Sequence, residues 1–393
     1  MNGALLVLNA GSSSIKFTLY HAVAGSADAK VLCRGQIAGL GDAPTLHATD
    51  AARAHLLDEA LAADCSHEQA LARLLDWIGA TFAAHPLLAA AHRVVHGGVH
   101  YSAPVVIDAD VLDQLRQLIP LAPLHQPHAI AAIDALQASH PGLPQVACFD
   151  TAFHHGQSAL ETTFALPAAL AGDELRRYGF HGLSYEFVAA ALPALMGTQA
   201  AAGRVVIAHL GAGASLCALK DGRSVATTMG FSTLDGLVMG RRCGAIDPGA
   251  LLYLQQHKGM DADAVSDMLY GHAGLLGVSG ISDDMQSLLA SAAPAARFAV
   301  DLFVYRLLRE LGALAATIGG LDALVFTAGI GEHAAEIRRR VGEGAAWLGV
   351  QIDPAANEAG AARLSPPGAR ASAWVVATDE EQMMMRHSLA LLR

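Results

Sequence analysis

The chain has 393 residues, 53% of them hydrophobic and 16% charged, which supports two or three packed domains and excludes intrinsic disorder. Twenty-five Lys and Arg against 36 Asp and Glu leave a formal net charge of −11 with histidine neutral. No nucleic acid and no membrane surface is therefore expected as a partner, and an anionic substrate has to meet a local cluster of Arg or Lys. Five scattered cysteines, Cys33, Cys65, Cys148, Cys217 and Cys243, form no CxxC pair. They argue against a disulfide framework or a structural zinc site and for a reducing compartment. Met1 to Leu8 has no basic region and too short an apolar run for a signal peptide, so a cytoplasmic location is expected. The apolar stretch Phe298–Phe326 carries Asp301, Arg306, Arg309 and Glu310 at helical spacing. It reads as an amphipathic core helix, not a membrane span.

In chain order, a strand at Leu5–Leu8 leads through a Gly/Ser turn to a second strand at Ile15–Tyr20. Helical periodicity follows at Ala51–Leu61 and Ala70–Ala83. A strand over Ala90–Val95 runs into His96-Gly97-Gly98, helices are expected near 108–118 and 127–138, and a strand at Gln145–Phe149 ends on Asp150. The second half opens in the same way. Strand Val205–Ala208, the turn His209-Leu210-Gly211-Ala212-Gly213 and returning strand Ser215–Lys220 repeat the opening pattern about 200 residues later. Either an internal duplication or two unrelated hairpins accounts for this. Strand Ala323–Thr327 runs into Ala328-Gly329-Ile330-Gly331-Glu332, which opens a helix near 333–347, and the sequence closes with strand Ala373–Ala377 and helix Glu380–Leu391.

Three Gly-rich turns at strand ends suggest phosphate binding, because glycine lets backbone N–H groups converge on an oxyanion. None has the GxxxxGK[ST] spacing, so a Walker-type site is excluded. Gly329-x-Gly331-x-x-Ala334 with Asp353 imitates a dinucleotide fingerprint but lies too near the C-terminus for a Rossmann domain. Arg93 and Arg242 offer guanidinium forks for a carboxylate or phosphoryl group. Lys16 suits a phosphate contact, and Asp150 stands where it can hold a metal–nucleotide or a reacting group; a surface role or a helix cap is the plain alternative for each. His92, His96 and His100 cross a strand and a Gly-Gly turn, which disfavours zinc ligation. His181 and His209 each sit beside a Gly turn, where a donor can meet phosphate oxygens.

The segment VLNAGSSSIKF (7–17) resembles the N-terminal motif of the acetate kinase family, and MGFSTLDGLVMG (229–240) resembles its second motif. Between and after them, in family order, come HRVVHGG (92–98), APLHQP (122–127), FDTAFH (149–154), RRYGFHG (176–182), HLGAGAS (209–215), IDPG (246–249), SGIS (279–282), FTAGIGE (326–332) and TDEE (378–381). The resemblance implies an α/β protein of two duplicated ribonuclease-H-like domains, as in actin, sugar kinases and chaperone ATPases, with the active site in the cleft between them. The first domain is expected over 1–150 plus a C-terminal helix at about 380–393, and the nucleotide-binding domain over 151–379. The implied reaction is reversible transfer of the ATP γ-phosphoryl group to acetate, giving acetyl phosphate and ADP, with Mg2+ or alternatively Mn2+, in a homodimer. Propionate or another short-chain acid is the alternative acceptor.

Carried over onto this chain, the resemblance makes Asn9 and Glu380 metal-associated and Asp150, His181 and Arg242 catalytic. Arg93, Val95, Leu124, Phe180 and Thr233 would bind the acid. Lys16, Ser12 and Ser14, His209 to Gly213 (His209, Leu210, Gly211, Ala212, Gly213), Asp284, Met285 and Gln286, and Gly329, Ile330, Gly331, Glu332 and His333 would contact the nucleotide. Acetate is already ionised near neutral pH, since carboxyl pKa values lie at about 4. It needs no base, so Asp150 is expected to orient and to act through the metal, with direct in-line transfer. The chain departs from the family pattern at Gln126, Leu183 and Tyr185 (in the HGTSH motif), Ala212, Thr233, Ala245, Met285, Gln286 and His333.

Overall fold

The computed structural model describes residues 2–23, 29–170 and 172–392. Met1 and Arg393, which bound the first predicted domain, lie outside the described residues. The chain divides into two units, Met1–Ala152 with Asp379–Arg393, and Phe153–Thr378.

Unit one is built on a sheet of strands β1 (Asn2–Ala10), β2 (Ser14–Val23), β3 (Lys30–Ala38), β4 (Thr45–Asp50), β5 (His55–Ala60), β6 (Leu87–Val94), β7 (Val105–Val106) and β8 (Gln145–Phe149). Their order is β5-β4-β3-β2-β1-β6-β8-β7. β1, β2 and β3 pair antiparallel, while β1, β6 and β8 run parallel. Helix α1 (His67–Thr81) starts at a reciprocal Ser66/Gln69 cap and buries Leu71, Leu74, Leu75 and Ile78 at helical spacing. These side chains meet Leu6, Leu8, Phe17 and Ile37 of the sheet. Burying each stabilises the fold by about 1.5–3 kcal/mol relative to leaving it exposed. Helices α2 (Ala109–Gln117) and α3 (Gln126–Ser139) bring Leu112, Leu115, Ile130 and Ile133 against Val94 and Phe149.

Unit two repeats the plan. Strands β9 (Val205–Leu210), β10 (Ala214–Lys220), β11 (Arg223–Thr227), β12 (Ala323–Thr327) and β13 (Ser372–Val375) order as β11-β10-β9-β12-β13. β9, β10 and β11 pair antiparallel, and β9, β12 and β13 run parallel. Strand for strand this matches β3-β2-β1-β6-β8, so the recurring opening reflects a duplication and not two unrelated hairpins. Helix α4 (Gly182–Met196) packs Tyr185, Val188 and Leu192 onto Val205, Ile207, Cys217 and Val325. The unit continues with α5 (Met285–Ala290), α6 (Pro294–Ile318), α7 (Ala328–His333) and α8 (Ala335–Gly344). Helix α9 (Glu380–Leu391) then returns to unit one and packs on β1, β2, β6 and β8.

Three predicted elements are corrected. Ala51–Leu61 is not a helix but a hairpin turn followed by edge strand β5. The Asp50 carboxylate accepts from the Ala52 and Ala54 N–H groups, and Arg53 adopts the left-handed conformation at φ 65°, which reverses the chain before a helix can start. The helical run from Phe298 ends at Ile318, where Gly319 at φ 79° caps α6, and Ala323–Thr327 is strand. The helix expected near 333–347 begins earlier, as α7 inside the Gly turn, breaks at Ala334 and resumes as α8. Among the described residues no helix is long and apolar enough to cross a membrane.

Candidate active site

In unit one the parallel neighbours β1, β6 and β8 end side by side, and their ends carry Asn9, Arg93 and Asp150. Open α/β sheets bind ligands at such carboxyl ends. Arg93 donates from Nε to Asp150 Oδ1 at 2.9 Å and from Nη2 to Oδ2, a two-point fork on a carboxylate only 2% exposed. Its Nη1 lies 3.4 Å from Asn9 Oδ1, and Glu380 Oε2 lies 3.9 Å from Nε. Glu380 reaches this point because Asp379 caps α9 by accepting from the Gln382 N–H, placing Glu380 in the first turn. Burial pushes the Glu380 carboxyl up to about 7; Arg93 pulls it back, and Asp150 and Glu381 push it further up. For Arg93 burial opposes the charge, yet Asp150 and Glu380 prevail and hold its pKa above the ordinary value.

Around this cluster, the β1–β2 turn is closed by the Gly11 N–H donating to Ser14 O at 2.8 Å, with Ser12 exposed and Ser14 half-buried. Lys16 is exposed opposite Asn9 in the ladder. Val95 is buried and Leu124 exposed. His92 and His96 are buried, and burial pushes each pKa down to about 4. The Gln126 amide accepts from the His96 N–H and donates to His96 O, clasping the loop after β6. That is a structural use for one departure from the family pattern.

Unit two holds a second cluster. His181 adopts the left-handed conformation at φ 59°, ψ 23° at the start of α4. Its Nδ1 lies 2.8 Å from Ser215 Oγ, and its ring stacks on His209 with centroids 4.2 Å apart. His209 Nδ1 in turn meets Ser184 Oγ at 2.8 Å. Arg242 Nη1 donates to Thr233 O at 2.8 Å. Arg242 and His181 converge on the β9–β10 turn: a Cβ built on Gly213 would stand 2.8 Å from Arg242 Nη2 and 3.1 Å from His181 Nε2. A side chain there would displace the tip of Arg242 or His181. Phe180 is buried and its carbonyl accepts from His154 Nε2.

Beside this turn opens a cavity of about 760 Å3, wide enough for a nucleotide-sized ligand. Of the predicted nucleotide contacts, Gly211, Ala212, Asp284, Met285, Gln286, Gly329, Ile330 and His333 line it, as does the catalytic candidate Arg242. His209, Leu210, Gly213, Gly331 and Glu332 do not line it. Leu210 is wholly buried, Gly331 is buried, and Glu332 accepts from the Thr378 N–H. The cavity also takes Arg241, Tyr270, Asp283 and Leu289, which the sequence reading did not single out. It missed Arg338 as well. This guanidinium, 2% exposed, donates to the carbonyls of Gly331 and Glu332 and to Asn357, tying α7 down from below. An arginine seven residues beyond Gly331 on a half-apolar helix was the available signal. Among the described residues no group of three or more His, Cys, Asp or Glu side chains could hold a metal ion.

Two units that each carry the 3-2-1-4-5 strand order, each opening on a glycine-containing hairpin turn, define the two-domain α/β fold of actin, sugar kinases and chaperone ATPases. Within that class the chain belongs to the acetokinase family, whose model matches residues 4–386. It is 56% identical over 389 residues, 98% of each chain, to an acetate kinase of Rhodopseudomonas palustris. Among solved structures it superposes on a propionate kinase from Francisella tularensis at TM-score 0.91 with 34% identity, covering 98% of both chains. It also superposes on Porphyromonas gingivalis acetate kinase at TM-score 0.89 with 32% identity over the whole of both chains.

Proposed function

We infer that this chain transfers the γ-phosphoryl group of ATP reversibly to acetate, giving acetyl phosphate and ADP. The carrying observation is the near-full-length identity to an acetate kinase, with Asn9, Arg93, Asp150, His181, Arg242 and Glu380 all present. Arg93 keeps donor capacity at Nη1 after its fork on Asp150, and that capacity serves the acetate carboxylate. Val95, Leu124, Phe180 and Thr233 are assigned to the methyl group. Arg242 and His181 are aimed at one glycine turn; during direct in-line transfer Arg242 neutralises charge on the equatorial oxygens and His181 donates a hydrogen bond to them. Ser12, Ser14 and Lys16 are assigned to the phosphates, and the residues lining the cavity to the rest of the nucleotide.

Asn9, Asp150 and Glu380 form an all-oxygen donor set that suits a hard cation held by one or two carboxylates plus substrate phosphates. Burial first, and then Asp150 and Glu381, raise the Glu380 carboxyl, and a bound divalent ion would favour its ionised form. Magnesium, or manganese in its place, would neutralise phosphate charge there. A homodimer acting in the cytoplasm completes the reading.

The test is hydroxylamine trapping of acyl phosphate with ATP, magnesium and acetate, propionate or butyrate. The highest kcat/KM with acetate supports the reading. A propionate maximum would keep the mechanism and change the acceptor, which one methylene, worth only about 1–3 kcal/mol, can do. No product from folded protein would refute it. Sedimentation velocity tests the dimer.

A further inference from the structure

Tyr185 is one of the positions where the chain departs from the family's HGTSH pattern, and the roles assigned above make no use of it. It is completely buried, as is Ser215 on the facing strand. Tyr185 Oη lies 2.6 Å from Ser215 Oγ, and the same Oγ lies 2.8 Å from His181 Nδ1. The three groups form a chain, and chemistry gives it a direction. Burial pushes the Tyr185 phenol well above its ordinary pKa, so the ring keeps its proton, and its oxygen accepts a hydrogen bond from the His209 backbone. With its oxygen already accepting, the phenol is read as the donor to Ser215 Oγ. A hydroxyl has one hydrogen, so Ser215, accepting from Tyr185, directs its own hydrogen at His181 Nδ1. A ring nitrogen that accepts carries no proton, which leaves the proton on Nε2.

We propose that Tyr185 and Ser215 form a one-way relay that fixes His181 in the neutral tautomer protonated on Nε2. Tyr185 is thereby a positioning residue for phosphoryl transfer. The orientation is held from a second side. His209 stacks on the His181 ring with planes 17° apart and is itself anchored through Nδ1 to Ser184. Nε2 faces the Gly213 turn, where the Arg242 guanidinium also arrives. A donor at that nitrogen serves an anionic oxygen, whereas the other tautomer would present a lone pair to it.

The proposal rests on the phosphoryl-transfer reading, and the experiment separates the two. The full chain, labelled with 15N-histidine, is observed by long-range proton–nitrogen NMR, the His181 signals being assigned by their loss in His181→Gln. The wild type is expected to show Nδ1 unprotonated and Nε2 protonated. Tyr185→Phe keeps the ring and removes the hydroxyl. It is expected to mix the tautomers and to lower kcat about ten- to hundredfold, with KM for ATP and acetate changed less than about twofold. Ser215→Ala is expected to do the same. A protonated Nδ1 in the wild type overturns the relay whether or not either variant folds. So does a Tyr185→Phe enzyme with wild-type kcat and an unchanged His181 spectrum. Wild-type protein with the expected tautomer but no acyl-phosphate formation would instead remove the transfer reading and leave the relay standing.

Discussion

Replacing Arg93 by Met removes the one guanidinium shared by Asp150, Asn9 and Glu380. Breaking a fully buried ion pair by deleting one partner costs about 3–5 kcal/mol, because the other charge is left without compensation. Asp150 is 2% exposed, but the Arg93 side chain is 21% exposed, so water can partly fill the vacated space. The expected loss is therefore near the lower end, about 3 kcal/mol. The loss also depends on pH. Glu380 has a folded-state pKa raised to about 7 against an ordinary 4.5. A carboxyl raised on folding binds its proton more tightly in the folded state, so stability falls as pH rises through that window. Arg93 is what pulls this pKa down, so its removal extends the window upward. Arg93→Met should then be further from the wild type at pH 8 than at pH 6. Thermal and urea unfolding at both pH values measure this, together with Asp150→Asn and the double variant, whose cycle should show coupling of at least about 1 kcal/mol. A loss under 1 kcal/mol, equal at both pH values and additive with Asp150→Asn, would refute the picture of one cation holding three oxygen ligands.

Two further outcomes are expected. Gly213→Ala inserts a methyl into the space between Arg242 Nη2 and His181 Nε2 and should lower kcat about a hundredfold while leaving the melting temperature nearly unchanged; unaltered kcat would separate both side chains from the transferring group. His92 and His96, whose pKa values burial lowers to about 4, stabilise the fold above their unfolded pKa near 6.5. That stability is lost as pH falls toward 4, by about 3 kcal/mol for each. Calorimetry across pH 7 to 4 should show proton uptake on unfolding, reduced in His92→Gln, and a flat profile would contradict the burial.

The strands were the most legible part of the fold, for a physical reason. β8, β9, β10 and β12 are covered on both faces, so their apolar runs are nearly continuous and bounded by glycine turns. β5 failed because it is an edge strand with only alternate residues partly covered, and its Ala- and Leu-rich composition suits a helix equally well. The Gly turn after β12 winds directly into α7, ahead of the helix expected near 333–347, and Arg338 grips its carbonyls from a distant turn. For the site, charged residues at strand ends were visible in the sequence, although a surface ion pair or a helix cap was the plain alternative until the motifs around them were read together. Tyr185, Ser215 and Ser184 were not, because a buried hydroxyl reads as core until the partner across the sheet is known.

The return of α9 to unit one also orders events during synthesis. Domains tend to fold from the N-terminus as the chain emerges, yet here the first sheet can form long before Glu380 exists. Until Asp379–Arg393 follows the whole of unit two out of the ribosome, Arg93 and Asp150 have each other but not the second carboxylate. Unit one is thus completed last, by a segment that leaves the ribosome only after all of unit two. A message cut short anywhere in unit two yields the first sheet without helix α9 and without Glu380 beside Arg93.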